Sequence, residues 1–355
     1  MKIFIPILAI LTCCNPLFGQ KSDSIVSPLT VWGFVDFYYA YDFSNPASHN
    51  RPGFIYSHNR HNEFALNNAV VGLKYSTEKV RGGFAFHTGT YVRSNYAAEP
   101  DLLRMIYEAY AGYRIAKNLW LDAGIFPSHI GTESALSIDN LTLSRSMMAE
   151  NTPYYESGVR LIYIASEKWM FSGLVLNGWQ NITENNDNKA VGAQIQFKPI
   201  NNVIINSSTY LGKEKPGYDS LHSRRYFHNF YLLVDLKKVS VIAALDIGLQ
   251  KKRIGTGSNV WYNPNLIVRF RPSEKIAFAA RVEYYDDQTG VMINLGDDKG
   301  FQTLSPSLNF DYRFDSNIVW RIEGRLFRSK DKIFLEDVTL KNNNAFVLSS
   351  LAFKF

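Results

Sequence analysis

The sequence predicts an all-β fold: a closed antiparallel barrel of about sixteen strands, built to cross a membrane on strands. Three observations carry this. Stretches of about ten residues alternate apolar with polar side chains, short turns alternate strictly with long polar connections, and the last stretch, 344–355, is a strand whose apolar side is left for a nonaqueous neighbour.

In that last stretch Phe355, Phe353, Leu351, Val347 and Ala345 share one side, with Ser349 the polar exception, and Lys354, Ala352, Ser350 and Leu348 share the other. Successive strand residues point to opposite faces. In water such an open edge would template aggregation; in a membrane barrel it is the seam that closes on the first strand. A terminal Phe preceded by apolar residues at alternate positions resembles the C-terminal signature of bacterial outer-membrane barrels.

The N-terminus has a secretory shape: Lys2, an apolar run over 3–11, then small and turn residues to Gly19-Gln20. This is too short for a spanning helix. We therefore expect residues 1–20 to be a signal peptide and 21–355 a single barrel domain. Cys13 and Cys14 also allow a lipoprotein signal, against which Thr12 and Cys13 fit poorly as the preceding small residue. Both cysteines lie in this leader, so neither a disulfide framework nor a cysteine metal site is expected in the mature chain. Loss of Lys2 takes the formal charge from +6 to +5, and no Lys/Arg run suggests nucleic acid. Aromatic residues make up 14% of the chain, 21 of them Tyr, although average hydropathy is on the polar side. A barrel produces that combination, because only every second strand residue meets lipid.

Taken in order, 29–41 alternates Val31, Val35, Phe37 and Tyr39 with Trp32, Phe34, Asp36 and Tyr38. Strands are then expected over 64–75 and 80–93. Short connections fall near 76–79, 116–118, 166–168, 199–202, 237–238, 272–274 and 315–317. Long ones fall near 42–61, 94–102, 127–153, 181–188, 212–225, 252–260, 287–302 and 330–343. Short periplasmic turns and long extracellular loops are what an outer-membrane barrel requires. In 318–327, Ile318, Trp320, Ile322 and Leu326 oppose Arg321, Glu323 and Arg325. Ile276, Phe278, Val282 and Tyr284 likewise oppose Arg281 and Glu283, and Val241, Leu245, Ile247 and Leu249 oppose Asp246. An Arg or Lys facing mid-membrane lipid costs about 2–4 kcal/mol, so these charges belong to a watery interior. The stretch 169–179 is ambiguous, since Ser172 and Asn177 differ in parity. The six tryptophans, 32, 120, 169, 179, 261 and 320, all lie near strand ends, which suits interfacial girdles.

The least strand-like segment is the third long connection, 127–153, where 133–149 has room for a helical turn or two. A loop of that length in an ordered chain is usually functional. Its position resembles the inward-folded third loop of general diffusion porins. With 54–75, 107–113 and 151–163, it resembles the Gram-negative type-2 β-barrel porin family over essentially the whole mature chain. That resemblance implies an outer-membrane porin and carries over no functional residue. A loop entering the lumen would bring Glu133, Asp139, Arg145 and Glu150 towards a wall bearing Arg269, Arg281, Arg321 and Arg325. Two readings follow: a transverse field that screens solutes by charge, or arginines that simply pair with Glu283 and Glu323. Glu108, Asp122, Glu156 and Arg160 share the inward parity beside this loop and are candidate anchors.

The expected function is passive diffusion of small hydrophilic solutes through an aqueous channel in the cell outer membrane. The alternatives are a substrate-specific channel, for which inward Tyr38, Tyr110 and Tyr285 would favour sugars, and a non-conducting scaffold or adhesin. A barrel hydrolase would need a nucleophile and an acid beside His87 or His129. Ser57-His58-Asn59 cannot form such a site locally, and His58 with His61 is a weak metal pair. Asp286-Asp287 and Asp297-Asp298 flank one loop and are a candidate Ca²⁺ pair, with a solvated acidic loop the simpler reading. Neither catalysis, a cofactor nor a bound metal is expected. Expected partners are outer-membrane lipid and lipopolysaccharide, the barrel-insertion machinery and the solutes; analogy with barrels of this width suggests a homotrimer.

Overall fold

The computed structural model describes residues 27–214, 223–252, 256–296, 300–336 and 338–355. The leader with Cys13 and Cys14, and the Asp297-Asp298 pair, lie outside the described residues. The first strands are β1 (Leu29–Asp42), β2 (Phe64–Ser76), β3 (Val80–Thr88), β4 (Ile106–Ala116), β5 (Leu119–Pro127) and β6 (Tyr155–Ile164). Then come β7 (Trp169–Leu176), β8 (Ala190–Phe197), β9 (Val203–Glu214), β10 (Ser223–Asp235), β11 (Val239–Lys251) and β12 (Ser258–Phe270). The chain continues through β13 (Ile276–Asp287), β14 (Phe301–Arg313), β15 (Ile318–Ser329), a small hairpin β16 (Phe334–Glu336) and β17 (Thr339–Lys341), and β18 (Asn343–Lys354).

Sixteen of these strands, all but β16 and β17, form one closed antiparallel barrel. Each pairs with its sequence neighbour, β15 pairs with β18, and β18 closes the seam on β1 with Phe34 opposite Lys354 and Tyr38 opposite Ser350. Closure leaves no barrel strand with an open edge, which answers the aggregation problem of 344–355. The alternation decides what faces out: Val347, Leu351 and Phe353 lie outward, whereas Phe346, Leu348, Ser350 and Ala352 are buried inside. Arg281, Glu283, Arg321, Glu323 and Arg325 all point inward, each at most 2% exposed. Among the described residues no helix is long and apolar enough to cross a membrane.

The structure corrects the expected elements at three places. β3 stops at Thr88, not 93, and Thr90–Asn95 forms a helical turn, α1. Gly89, at φ 138°, turns the chain inward there, and a Cβ would collide with the backbone of Asn67. Tyr91 and Tyr96 are thereby buried inside the barrel. Secondly, only Trp169 and Trp320 face outward as a girdle would require, 40% and 37% exposed. Trp120 lies inside under the Arg81 guanidinium (4.4 Å), Trp179 packs edge-on against Tyr210 and Phe227, and Trp261 is 1% exposed. Trp32 also turns inward, its indole lying across Gly72, where a Cβ would sit 2.6 Å from Nε1. Finally, the ambiguous stretch ends its strand at Leu176, so Asn177 already belongs to the loop and β7 keeps one parity.

Candidate functional site

The third loop, 128–154, lies inside the barrel and is bonded to its wall on nearly every side. It enters beside β6, where His129 Nδ1 meets Glu156 (2.8 Å) and its Nε2 meets the Thr209 carbonyl (2.8 Å). Gln194 and Ser208 donate to the His129 carbonyl at 3.1 and 2.7 Å. The chain then crosses to β1 and β18: Ser137 donates to Asp36 (2.7 Å), and Lys354 grips Asp139 (2.7 Å). A 3-10 turn, Ser137–Asp139, turns the Ser137 carbonyl towards Arg321 of the neighbouring strand β15. The short helix α2 (Met147–Glu150), capped by the Ser146 hydroxyl on the Ala149 amide, carries the loop back. Glu150 ends the passage by accepting from Tyr56 and Ser57 of the first long loop.

Irregular backbone inside a barrel needs a partner for every amide and carbonyl. Here charged wall residues supply several of them. Arg321 donates to the Ser137 carbonyl (2.6 Å) and Asp311 (2.7 Å), and Arg269 donates to the Asn140 carbonyl (3.3 Å) and Asp311. Arg281 holds the Ser144 carbonyl (2.7 Å) and Glu323 (2.9 Å), while Arg325 holds the Arg145 carbonyl (2.7 Å) and Glu283. The acids complete the exchange: Glu323 accepts from the Ser144 hydroxyl (2.9 Å) and Glu283 from the Met147 amide (2.7 Å). Each arginine thus bridges a wall carboxylate to a loop carbonyl.

The loop's own charges are placed differently from one another. Glu133 accepts from Ser146 and lies 4.0 Å from Arg281. Burial lifts its carboxyl above the ordinary 4.5, although Arg281 and Ser146 pull the other way. Asp139 pairs with Lys354. Arg145 is sandwiched between the rings of Tyr91 (4.0 Å) and Tyr154 (4.3 Å) and donates to the Ala135 carbonyl (2.6 Å). Glu108 lines a cavity beside the loop's first half. Of the other candidate anchors, Glu156 holds His129, whereas Asp122 pairs on the wall with Arg81 and Arg160.

Towards the long-loop end, a second layer of the lumen is apolar. Tyr210 is paired across the sheet with Phe227, Phe227 with Gly248, and Gly248 with Trp261. The Trp261 ring lies where any side chain at 248 would have to go. Tyr285, Phe301, Phe327 and Phe346 continue this aromatic belt around the wall. Phe54 of the first loop meets Phe301 (4.8 Å) and Phe327 (5.4 Å), and Phe334 and Ile293 of the last two loops join the same cluster. Of the three inward tyrosines weighed for sugars, Tyr38 and Tyr285 are buried in this cluster, and Tyr110 packs against it.

The histidines serve as structural partners. His58 Nε2 bonds Asp36 (2.9 Å), His61 Nδ1 accepts from the Asp42 amide (2.9 Å), and His87 Nε2 bonds the Arg104 carbonyl (3.0 Å). Ser57 donates to Glu150 instead of to His58, so the serine–histidine link of a nucleophilic site is not formed there. Asp287 caps its loop through the amides of Val291, Met292 and Ile293. Among the described residues no group of three His, Cys, Asp or Glu is arranged to hold a metal. Sequence reasoning missed the roles of Asp36 and Asp311, although both carry the inward parity of their strands.

A closed antiparallel barrel of sixteen strands is also the fold of solved porins. The fold matches the anion-selective porin from Comamonas acidovorans at TM-score 0.61 and 9% identity, over 92% of this chain and 99% of that one. It matches Salmonella typhi OmpF in complex with daunomycin at 0.60 and 12% (92% and 97%), and in-vitro folded OmpT of Vibrio cholerae in its trimer form at 0.58 and 9% (92% and 99%). At such identities the likeness is one of fold. No curated protein matches the sequence. Residues 28–355 match the family described as "Putative beta-barrel porin-2, OmpL-like", and the chain belongs to that family.

Proposed function

We propose that this barrel is an outer-membrane channel for passive diffusion of small hydrophilic solutes, with the third loop as its filter. The observation that carries the reading is the exchange between loop and wall: four arginines and two glutamates of β12–β15 hold loop backbone from Ser137 to Met147. So many charge-assisted bonds to main chain fix a constriction in place, as a size filter requires. Because Arg269, Arg281, Arg321 and Arg325 are paired with Asp311, Glu283 and Glu323, the screen acts by dimension more than by a bare transverse field. Arg145, Glu133, Asp139 and Glu108 belong to the same lining in this reading. The outward apolar face meets lipid, the long loops face lipopolysaccharide, and three copies pack side by side as in the trimeric relative of fold.

Liposome swelling tests this. Vesicles carrying the folded protein swell in small sugars and amino acids and progressively less in oligosaccharides. Vesicles that hold the folded protein and swell in none of them contradict it. A second reading, a barrel that keeps its lumen shut, is favoured by the apolar layer of Phe54, Phe334 and Ile293 against the aromatic belt; apolar constrictions exclude water and ions by dewetting. It predicts that absence of swelling.

A further inference from the structure

On the other side of the third loop from the aromatic belt, a cavity of about 180 Å³ opens between the loop and strands β1, β2, β4 and β18. A cavity of about 150 Å³ is enough for a benzene-sized molecule. Trp32, Lys74, Glu108, Leu136, Tyr154 and Lys354 are among the groups around it. Three of them bring a buried polar atom with no hydrogen-bond partner: Trp32 Nε1, Glu108 Oε1 and Tyr154 Oη. Glu108 is only 2% exposed. Lys74, paired across the sheet with Thr30, forms no ion pair among the described residues, and its ammonium lies 5.4 Å from the Trp32 ring centroid. Lys354, by contrast, is spoken for by Asp139.

Unpartnered buried polar groups are costly, and several converging on one cavity are the mark of a site built for a ligand. Their chemistry is mixed. An ammonium and an indole N–H favour a carboxylate, whereas a glutamate oxygen favours a group that donates a hydrogen bond. A simple anion would face Glu108 and Glu133, and a simple cation would face Lys74 and Lys354. We propose that this cavity is a binding subsite for a small carboxylate that also carries a hydrogen-bond donor, an α-amino or α-hydroxy acid of about six heavy atoms. Its carboxylate sits between Lys74 and the Trp32 N–H, its amino or hydroxyl group is taken by Glu108, and its apolar side lies against Leu136. Gly72 makes room for this, since a side chain there would displace the indole. The inference deepens the channel reading by naming a solute class and rests on it only for the route of access.

The test is isothermal titration calorimetry on the folded chain in detergent with L-alanine, L-lactate and propionate, beside planar-bilayer conductance of the same preparation. Alanine or lactate binds saturably, and propionate, lacking the donor, binds about tenfold more weakly. Lys74→Gln weakens binding by about tenfold, and Trp32→Phe, which keeps a ring and removes the N–H, weakens it in the same direction. Glu108→Gln separates the two sources, since it costs an ammonium more than a hydroxyl. Heat-modifiable gel mobility shows that each variant is folded. Absence of saturable binding, or binding indifferent to both Lys74→Gln and Trp32→Phe, overturns the subsite. Binding without conductance upholds the subsite and overturns the channel; conductance without binding does the reverse.

Discussion

At the scale of residues, the structure turns on buried ionic groups that pair with one another. Arg281 touches Glu323, the Ser144 carbonyl and the Thr142 hydroxyl, with Glu283 at 3.4 Å. Removing one member of such a group strands the others, at a cost of about 3–5 kcal/mol, whereas replacing both sides with apolar groups is often neutral. Arg281→Met therefore lowers unfolding stability in lipid by about 3–5 kcal/mol, and adding Glu323→Met recovers much of it. Equal loss in the single and double variants, measured by urea unfolding, would contradict this account. The arginines and their parity were legible in the sequence, because charge cannot face lipid. Their partners on the loop were not, since no periodicity links residues 140 positions apart. The inward tryptophans were half legible: Trp32 shares parity with Asp36, Trp120 with Asp122 and Trp261 with Asn263. Nearness to a strand end is the weaker signal, because a loop-filled lumen offers an indole the same mixed surroundings as an interface.

At the scale of elements, the third loop is held by an anchor at each end, and the first anchor is titratable. Burial pushes the His129 pKa down, but Glu156 at 2.8 Å and the Thr209 carbonyl lift it to a net value above the ordinary 6.5. A raised pKa means that protonated His129 stabilises the fold fully below about pH 6.5 and that this contribution is lost as pH rises through the folded value. The wild-type chain therefore melts lower at pH 9 than at pH 6 by more than His129→Gln does, as followed by circular dichroism in detergent. An identical pH difference in both would remove His129 from the anchor. Strand count, turns and alternation were all legible, since lipid on one side and water on the other impose period two. The ends of elements were less so: β3 stops early because of the conformation of Gly89, and the β16–β17 hairpin is too short to leave a period.

At the scale of the whole molecule, the lumen has two layers, a charged one around the third loop and an aromatic one towards the long-loop end. Sequence patterning reveals that a barrel has an inside, but not how much of that inside its loops fill. Loops carry no period, and their burial depends on wall residues brought together only by closure. As the filter of a conducting channel, the third loop would set the size of each opening. Single-channel recording in planar bilayers measures that size, comparing the intact chain with a variant in which 134–145 is replaced by a short Gly-Ser linker. Discrete steps are expected for the intact protein and several-fold larger steps for the variant, whose freed arginines then meet water. A folded intact barrel that inserts without opening, or a variant that conducts no more than its parent, would contradict that role.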